Sequence, residues 1–231
     1  MKRVYTGIES SGKSLWLSRD AEDVLNRNIK GLKIVGIPRT MAFNSPMSKE
    51  FKNRITNAGI KYLEFKNFDD IARFDEMDVF IDEVIKFFPA NGSSGLSNEQ
   101  LHFITQGAKS GINIYGASQD FSQVHKQFRL LVNEVYIVTK IIGSRRPMKT
   151  APPVKFIWGC GIKREVKPSS FKGDSATMES TGIPWPFLIL KKDCDRFDTS
   201  YKIPLTTLPI KKLRKQVGFC EEDGFKKTWY V

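Results

Sequence analysis

Residues Gly7-Ile8-Glu9-Ser10-Ser11-Gly12-Lys13-Ser14 spell a complete G-x-x-x-x-G-K-S string directly behind a short strand pattern, Lys2-Arg3-Val4-Tyr5-Thr6. Glycines at both ends let the backbone curl around an anion with its amides turned inward, and a helix that opens at the loop adds its positive end. Lys13 can then reach β- and γ-phosphates, and Ser14 can ligate Mg²⁺. Such a string also arises by chance in loops, so its surroundings decide. Leu15, Trp16, Leu17, Ala21, Val24 and Leu25 recur close to the helical period over Leu15 to Asn28. Strand, loop and helix therefore follow one another as a phosphate cradle requires. The expected nucleotide contacts are Gly7, Glu9, Ser10, Ser11, Gly12, Lys13, Ser14 and Leu15.

Gly31 is expected to end that helix, with Leu32 to Ile37 as the next strand, stopped by Pro38. Residues 39 to 59 are polar and basic, with a turn at Asn44-Ser45-Pro46. Strand patterns recur at Ile60 to Phe65, Asp78 to Glu83, Ile112 to Ala117 and Glu134 to Ile142. Helical patterns occupy Asn98 to Lys109 and Phe121 to Leu131, and Phe68 to Phe74 fits a short helix or turn. This alternation predicts an α/β domain, a mainly parallel sheet with helices on both faces. Beyond Gly143 the punctuation changes. Residues 144 to 186 hold Pro147, Pro152, Pro153, Pro168, Pro184 and Pro186, and read as an insertion or arm containing one strand pattern, Phe156 to Gly159. Phe187-Leu188-Ile189-Leu190 can return to the sheet, which gives the domain a strand-containing C-terminal extension. The expected organisation is one domain over residues 1 to 205, with a nucleotide core at about 1 to 142, and a basic tail over 206 to 231.

With 231 residues and 40% hydrophobic content the chain can bury a substantial core. Cys160, Cys194 and Cys220 are odd in number and lack C-x-x-C spacing, which argues for unpaired thiols in a reducing compartment. No apolar stretch approaches the ~20 residues that cross a bilayer, and no signal-peptide core precedes the first strand. A soluble protein without its own transmembrane segment is expected. The net charge of +12 raises the prior for a polyanionic partner such as nucleic acid. The basic run Lys211-Lys212-Leu213-Arg214-Lys215 is either solvated or set against such a backbone.

The strand pattern Val79-Phe80-Ile81 ends in Asp82-Glu83. In a nucleotide hydrolase an aspartate so placed holds Mg²⁺ and a neighbouring glutamate takes the proton of the attacking water. Alternatively Asp82 caps a strand and Glu83 is merely solvated. A phosphate loop about seventy residues upstream favours the first reading, with both features expected at the carboxyl ends of adjacent strands. Gln119, at the tip after Ile112 to Ala117, can sense a γ-phosphate or orient water, or can belong to a helix cap with Ser118 and Asp120. His102 and His125 are too isolated to suggest a metal pair.

The opening loop, the string Val79-Phe80-Ile81-Asp82-Glu83-Val84-Ile85-Lys86-Phe87-Phe88-Pro89, and Ala117-Ser118-Gln119-Asp120 with Val124 to Val132 together resemble the zonula-occludens-toxin-like assembly ATPases of filamentous phages. That family lies within the FtsK/HerA group of P-loop DNA translocases, which includes viral genome-packaging ATPases. The resemblance covers about residues 1 to 142, with Arg196 to Tyr201 as a late echo. It implies a P-loop NTPase fold with ATP and Mg²⁺ as cofactors. Lys13 and Ser14 then bind phosphate and metal, Asp82 supports the metal, Glu83 activates water, and Gln119 is the polar sensor. Two departures stand out. Where the translocase group often carries an arginine, Gly107-Ala108-Lys109-Ser110-Gly111 offers Lys109, so a trans-acting cation falls to Lys109, Arg129, Arg145 or Arg146. The membrane span usual in filamentous-phage assembly proteins is also missing.

The expected function is a viral or phage ATPase that hydrolyses ATP to translocate or package DNA during virion assembly, as a homo-oligomeric ring, with capsid or assembly-complex partners. Its expected place is the host cytoplasm, or the virion. Alternatives are an export ATPase for filamentous virions acting with a separate membrane protein, a nucleotide-binding structural protein, and a small-molecule P-loop kinase. The Asp82-Glu83 pair and the lack of an arginine-rich lid count against the kinase.

Overall fold

In a computed structural model the described residues are 1–9, 11–36, 39–72, 75–90, 96–143, 157–166, 183–190, 219–222 and 225–228. The chain divides into two units, Met1–Tyr201 and Lys202–Val231. The first unit is built on strands β1 (Lys2–Thr6), β2 (Thr40–Phe43), β3 (Lys61–Glu64), β4 (Met77–Asp82), β5 (Asn113–Ser118), β6 (Glu134–Gly143), β7 (Ile157–Val166) and β8 (Trp185–Leu190). Its helices are α1 (Lys13–Val35), α2 (Lys49–Asn57), α3 (Asn98–Gln106) and α4 (Lys126–Leu131). In the second unit, β9 (Phe219–Glu222) and β10 (Phe225–Thr228) pair as an antiparallel hairpin.

The eight strands form one sheet in the order β3-β2-β4-β5-β1-β6-β7-β8. The first six are mutually parallel, and β7 and β8 close the sheet in antiparallel pairing. Parallel strands need helical crossovers, which cover both faces and leave the strands apolar on both sides. Strand β4 shows the consequence: Met77, Val79, Phe80 and Ile81 are all fully buried.

One face of the sheet is covered by α1 and α2. Leu17, Ala21, Val24 and Leu25 of α1 and Phe51 and Ile55 of α2 pack on Met41, Phe43, Phe80 and Tyr115. Phe43, Phe80 and Tyr115 occupy one register row on three neighbouring strands. Their rings stack at centroid distances of 4.7 and 4.9 Å, each pair adding about 0.5–1.5 kcal/mol beyond burial. The opposite face is covered by α3 and α4, where Phe103, Ile104 and Phe128 meet Val4, Val79, Ile81, Ile114 and Val135.

The parallel α/β architecture matches the expectation, and several details differ from it. The phosphate-loop strand β1 and the carboxylate strand β4 are not adjacent, because β5 lies between them. Helix α1 runs past Gly31 to Val35 and ends at Gly36, whose φ of 75° and N–H bond to the Leu32 carbonyl form a left-handed C-cap. The stretch expected as a strand, Leu32 to Ile37, is therefore mostly helix. The next strand is β2, four fully buried residues hidden in a segment that reads as polar. Phe121 to Leu131 splits into a 3-10 turn at Phe121–Gln123 and the short helix α4. The expected arm over 144 to 186 includes β7, a ten-residue strand of the main sheet; residues 144 to 156 and 167 to 182 lie outside the described residues. β8 returns to the sheet as expected.

Candidate active site

The register of the central strands sets the site. Thr6 of β1 pairs with Ser118 of β5, and Ala117 of β5 pairs with Asp82 of β4. Three strand tips thus end together at one edge: Gly7 after β1, Gln119 after β5 and Glu83 after β4.

Above β1 the chain turns sharply. Gly7 has φ +151°, and a Cβ there would lie 2.4 Å from the Val138 carbonyl oxygen, so no side chain fits. Gly12 caps α1 at φ 103°, a left-handed conformation that glycine adopts without strain. The amide of Ser11 donates to the Ile8 carbonyl at 3.2 Å, closing the loop on itself. Ile8 and Glu9 are exposed at its tip, Ser11 and Leu15 are buried, and Ser10 lies outside the described residues. The Lys13 ammonium donates to the Gly7 and Ile8 carbonyls, both at 2.7 Å. Burial lowers the pKa of Lys13, against the pull of Asp82, Glu83 and Glu9.

Helix α1 and strand β4 meet at the same edge. The Ser14 hydroxyl donates to Asp82 Oδ1 at 3.1 Å. Burial raises the Asp82 carboxyl and the neighbouring Glu83 charge adds to the rise, while the Ser14 bond and the Lys13 and Lys86 charges oppose it. Glu83 follows with φ 77° and ψ 71°, a left-handed conformation uncommon outside glycine. That turn swings the chain off the strand into a 3-10 turn over Val84–Lys86. Lys86 Nζ lies 2.7 Å from Glu83 Oε2. So exposed an ion pair contributes little.

At the end of β5, Ser118 is buried and its hydroxyl donates to the Asp120 carbonyl at 3.0 Å. Asp120 accepts from the Ser122 amide and hydroxyl, capping the 3-10 turn. Capping therefore falls to Asp120, with Gln119 exposed beside the loop. The four expected cations stand differently. Lys109 precedes β5 and so sits at the opposite edge of the sheet, Arg129 lies half-buried on α4, and Arg145 and Arg146 fall outside the described residues.

A glycine-built loop between β1 and α1, with the carboxylate strand two places away across β5, decides the architecture. The chain has the P-loop NTPase fold. No protein-family model and no curated protein matches the sequence. Among solved structures, the chain is similar to the N-terminal domain of zonular occludens toxin from Neisseria meningitidis, at 18% identity and a TM-score of 0.48, over 85% of this chain and 98% of that one. It is also similar to the genome packaging NTPase B204 from Sulfolobus turreted icosahedral virus 2 in complex with ATP-gammaS, at 12% identity and a TM-score of 0.44, over 77% and 95%. A third is the KaiC-like protein PH0186 from Pyrococcus horikoshii, at 10% identity and a TM-score of 0.39, over 82% and 88%. A zonular occludens toxin domain and a viral genome packaging NTPase, the two kinds of protein named from the sequence, are thus among the structural neighbours of this chain.

One residue of the site escaped the sequence reading. Asn44, expected only as part of a turn, stands one position past β2 and bonds the backbone of Asp82 on both sides: its Oδ1 accepts from the Asp82 amide at 2.6 Å and its Nδ2 donates to the Asp82 carbonyl at 2.8 Å. An asparagine directly after a buried strand was the available signal, but β2 had to be recognised first. Elsewhere, Cys160 is a free thiol, and among the described residues no helix is long and apolar enough to cross a membrane.

Proposed function

We propose that this chain is an ATP hydrolase that moves DNA during the assembly of a virus or phage particle, working as a homo-oligomer of the FtsK/HerA translocase type. The observation that carries the hydrolytic reading is the convergence of Lys13, Ser14, Asp82, Glu83 and Gln119 at one edge, joined by the Ser14 to Asp82 hydrogen bond. In this reading the loop amides and the N-terminus of α1 receive the phosphates. Lys13 exchanges its two carbonyl partners for β- and γ-phosphate oxygens. Ser14 and Asp82 offer a hydroxyl and a carboxylate oxygen side by side, the hard donors that suit Mg²⁺, which when bound with nucleotide neutralises charge developing on the phosphates. Glu83, held beyond the strand by its left-handed turn, accepts the proton of the attacking water. Gln119 orients that water or the γ-phosphate. Residues 1 to 205 form the ATPase domain in this account, and 206 to 231 a basic tail.

The +12 charge supports a polyanionic load. ATP hydrolysis measured with and without DNA on size-resolved oligomers tests both halves. DNA-stimulated turnover in the oligomeric fraction is expected. Absence of turnover in every fraction refutes the hydrolase, and turnover indifferent to DNA refutes the load while leaving the hydrolase in place.

A further inference from the structure

We propose that Asn44 is a positioning residue for the Asp82–Glu83 corner, acting through the backbone rather than on nucleotide. The inference rests on the hydrolytic reading of those two carboxylates. Strand β2 pairs with β4 only as far as Phe43 opposite Phe80, and the Asn44 amide extends the ladder by one bond to the Phe80 carbonyl at 3.1 Å. The main chain of β2 then leaves the sheet, and the Asn44 side chain takes its place. A carboxamide has the same planar donor and acceptor pair as a peptide. Placed against Asp82, it satisfies the N–H on one side of that residue and the C=O on the other.

Those two bonds fix both peptide planes that flank the Asp82 Cα. One plane sets how the Asp82 carboxylate meets Ser14. The other is the peptide that enters Glu83, whose φ of 77° is the strained step that lifts it clear of the strand. A serine at this position is too short to span the two groups, and an aspartate has no N–H to give the carbonyl. Without the clamp, the tip of β4 would be open on its β2 side and held only by β5, freer to relax the turn at Glu83. Asn44 therefore transmits the order of the sheet into the two groups that must hold geometry during hydrolysis.

The experiment compares the parent with Asn44→Ala and Asn44→Asp. Three quantities are measured for each: kcat, metal-free ATP affinity, and the Mg²⁺ concentration giving half-maximal nucleotide binding. We expect both variants to lose about 10- to 100-fold in kcat, with about a tenfold higher Mg²⁺ requirement. Metal-free ATP affinity should stay within about twofold, because the clamp touches no phosphate contact. Asn44→Asp conserves size and packing, so it reads the lost N–H even where the alanine variant fails to fold. A kcat and Mg²⁺ requirement like those of the parent in Asn44→Asp would overturn the inference, as would equal losses in all three quantities, the mark of a general structural role. A parent that binds Mg²⁺ and ATP without turnover sinks the hydrolase instead, and the Mg²⁺ requirement then still decides the role of Asn44.

Discussion

Strand β4 carries an aspartate near each end, Asp78 and Asp82, on the same face and beneath the same helix, and their surroundings are opposite. Asp78 is fully enclosed and bonded by Asn113 Nδ2 at 2.7 Å, Asn28 Nδ2 at 2.9 Å and Arg39 Nε at 3.2 Å. Asn113 in turn accepts from the Met1 ammonium at 2.7 Å, so this edge is a closed polar network. The Asp82 carboxylate has a single hydrogen-bond partner among the described residues, the Ser14 hydroxyl, and burial raises its pKa. One carboxylate is saturated by the fold. The other is desolvated, with one hydroxyl partner, which in the proposed reading leaves it open to a cation.

Helix α1 bridges the two, with Ser14 in its first turn and Asn28 well along its length. Between them its apolar stripe lies on the Phe43, Phe80 and Tyr115 stack. The stack fixes the helix over the sheet, and the bottom network holds it at Asn28. The top is thereby free to carry an arrangement that costs stability, as functional sites commonly do.

The contrast can be broken from either side. The largest effect belongs to Asp82→Asn, which should lower ATP turnover by about 10³-fold, roughly 4 kcal/mol of transition-state stabilisation. Steady-state kinetics at saturating Mg²⁺ check it, and turnover within tenfold of the parent would make the two aspartates equivalent. Next comes Asp78→Ala, expected to destabilise the fold by about 3 kcal/mol because it leaves Arg39 without its buried partner. Denaturant unfolding measures that loss, and activity per folded molecule should stay within a few fold.

The smallest effect sharpens the comparison through pH. The folded-state pKa of Asp82 lies above its ordinary value of 3.8, so the folded protein holds that proton longer than the unfolded chain and loses stability as pH rises through the folded pKa. Metal-free Asp82→Asn escapes this loss. It should exceed the parent by about 1 kcal/mol at neutral pH, with the advantage fading as pH falls toward 4. A constant advantage across that range would show that Asp82 titrates as it does in the unfolded chain.

Much of this was readable in the residues. Glycines and a lysine at fixed offsets announce the loop, and the apolar run into Asp82 announces β4, because burial on both faces leaves little choice of residue type. The stop after α1 was not readable. Leu32-Lys33-Ile34-Val35 has strand-like composition, yet Ile34 is 83% exposed and the segment stays helical, because a cap at Gly36 outweighs the ~1 kcal/mol that Gly31 costs. Nor could local pattern show β5 between β1 and β4, since sheet order is set by long-range packing. The same holds for Asn44, whose meaning depends on a strand with which it has no sequence proximity. Within the expected arm over 144 to 186 only Phe156 to Gly159 read as strand, because the prolines on either side obscure how far β7 runs.

In the proposed reading, binding and turnover are divided between different residues of the upper edge. Glu83→Gln, assayed in parallel for equilibrium ATP binding with Mg²⁺ and for single-turnover hydrolysis, measures that division most directly. The prediction is binding within a few fold of the parent and hydrolysis reduced by about 10² to 10⁴. Hydrolysis at the parental rate would contradict the assignment of Glu83 as the base.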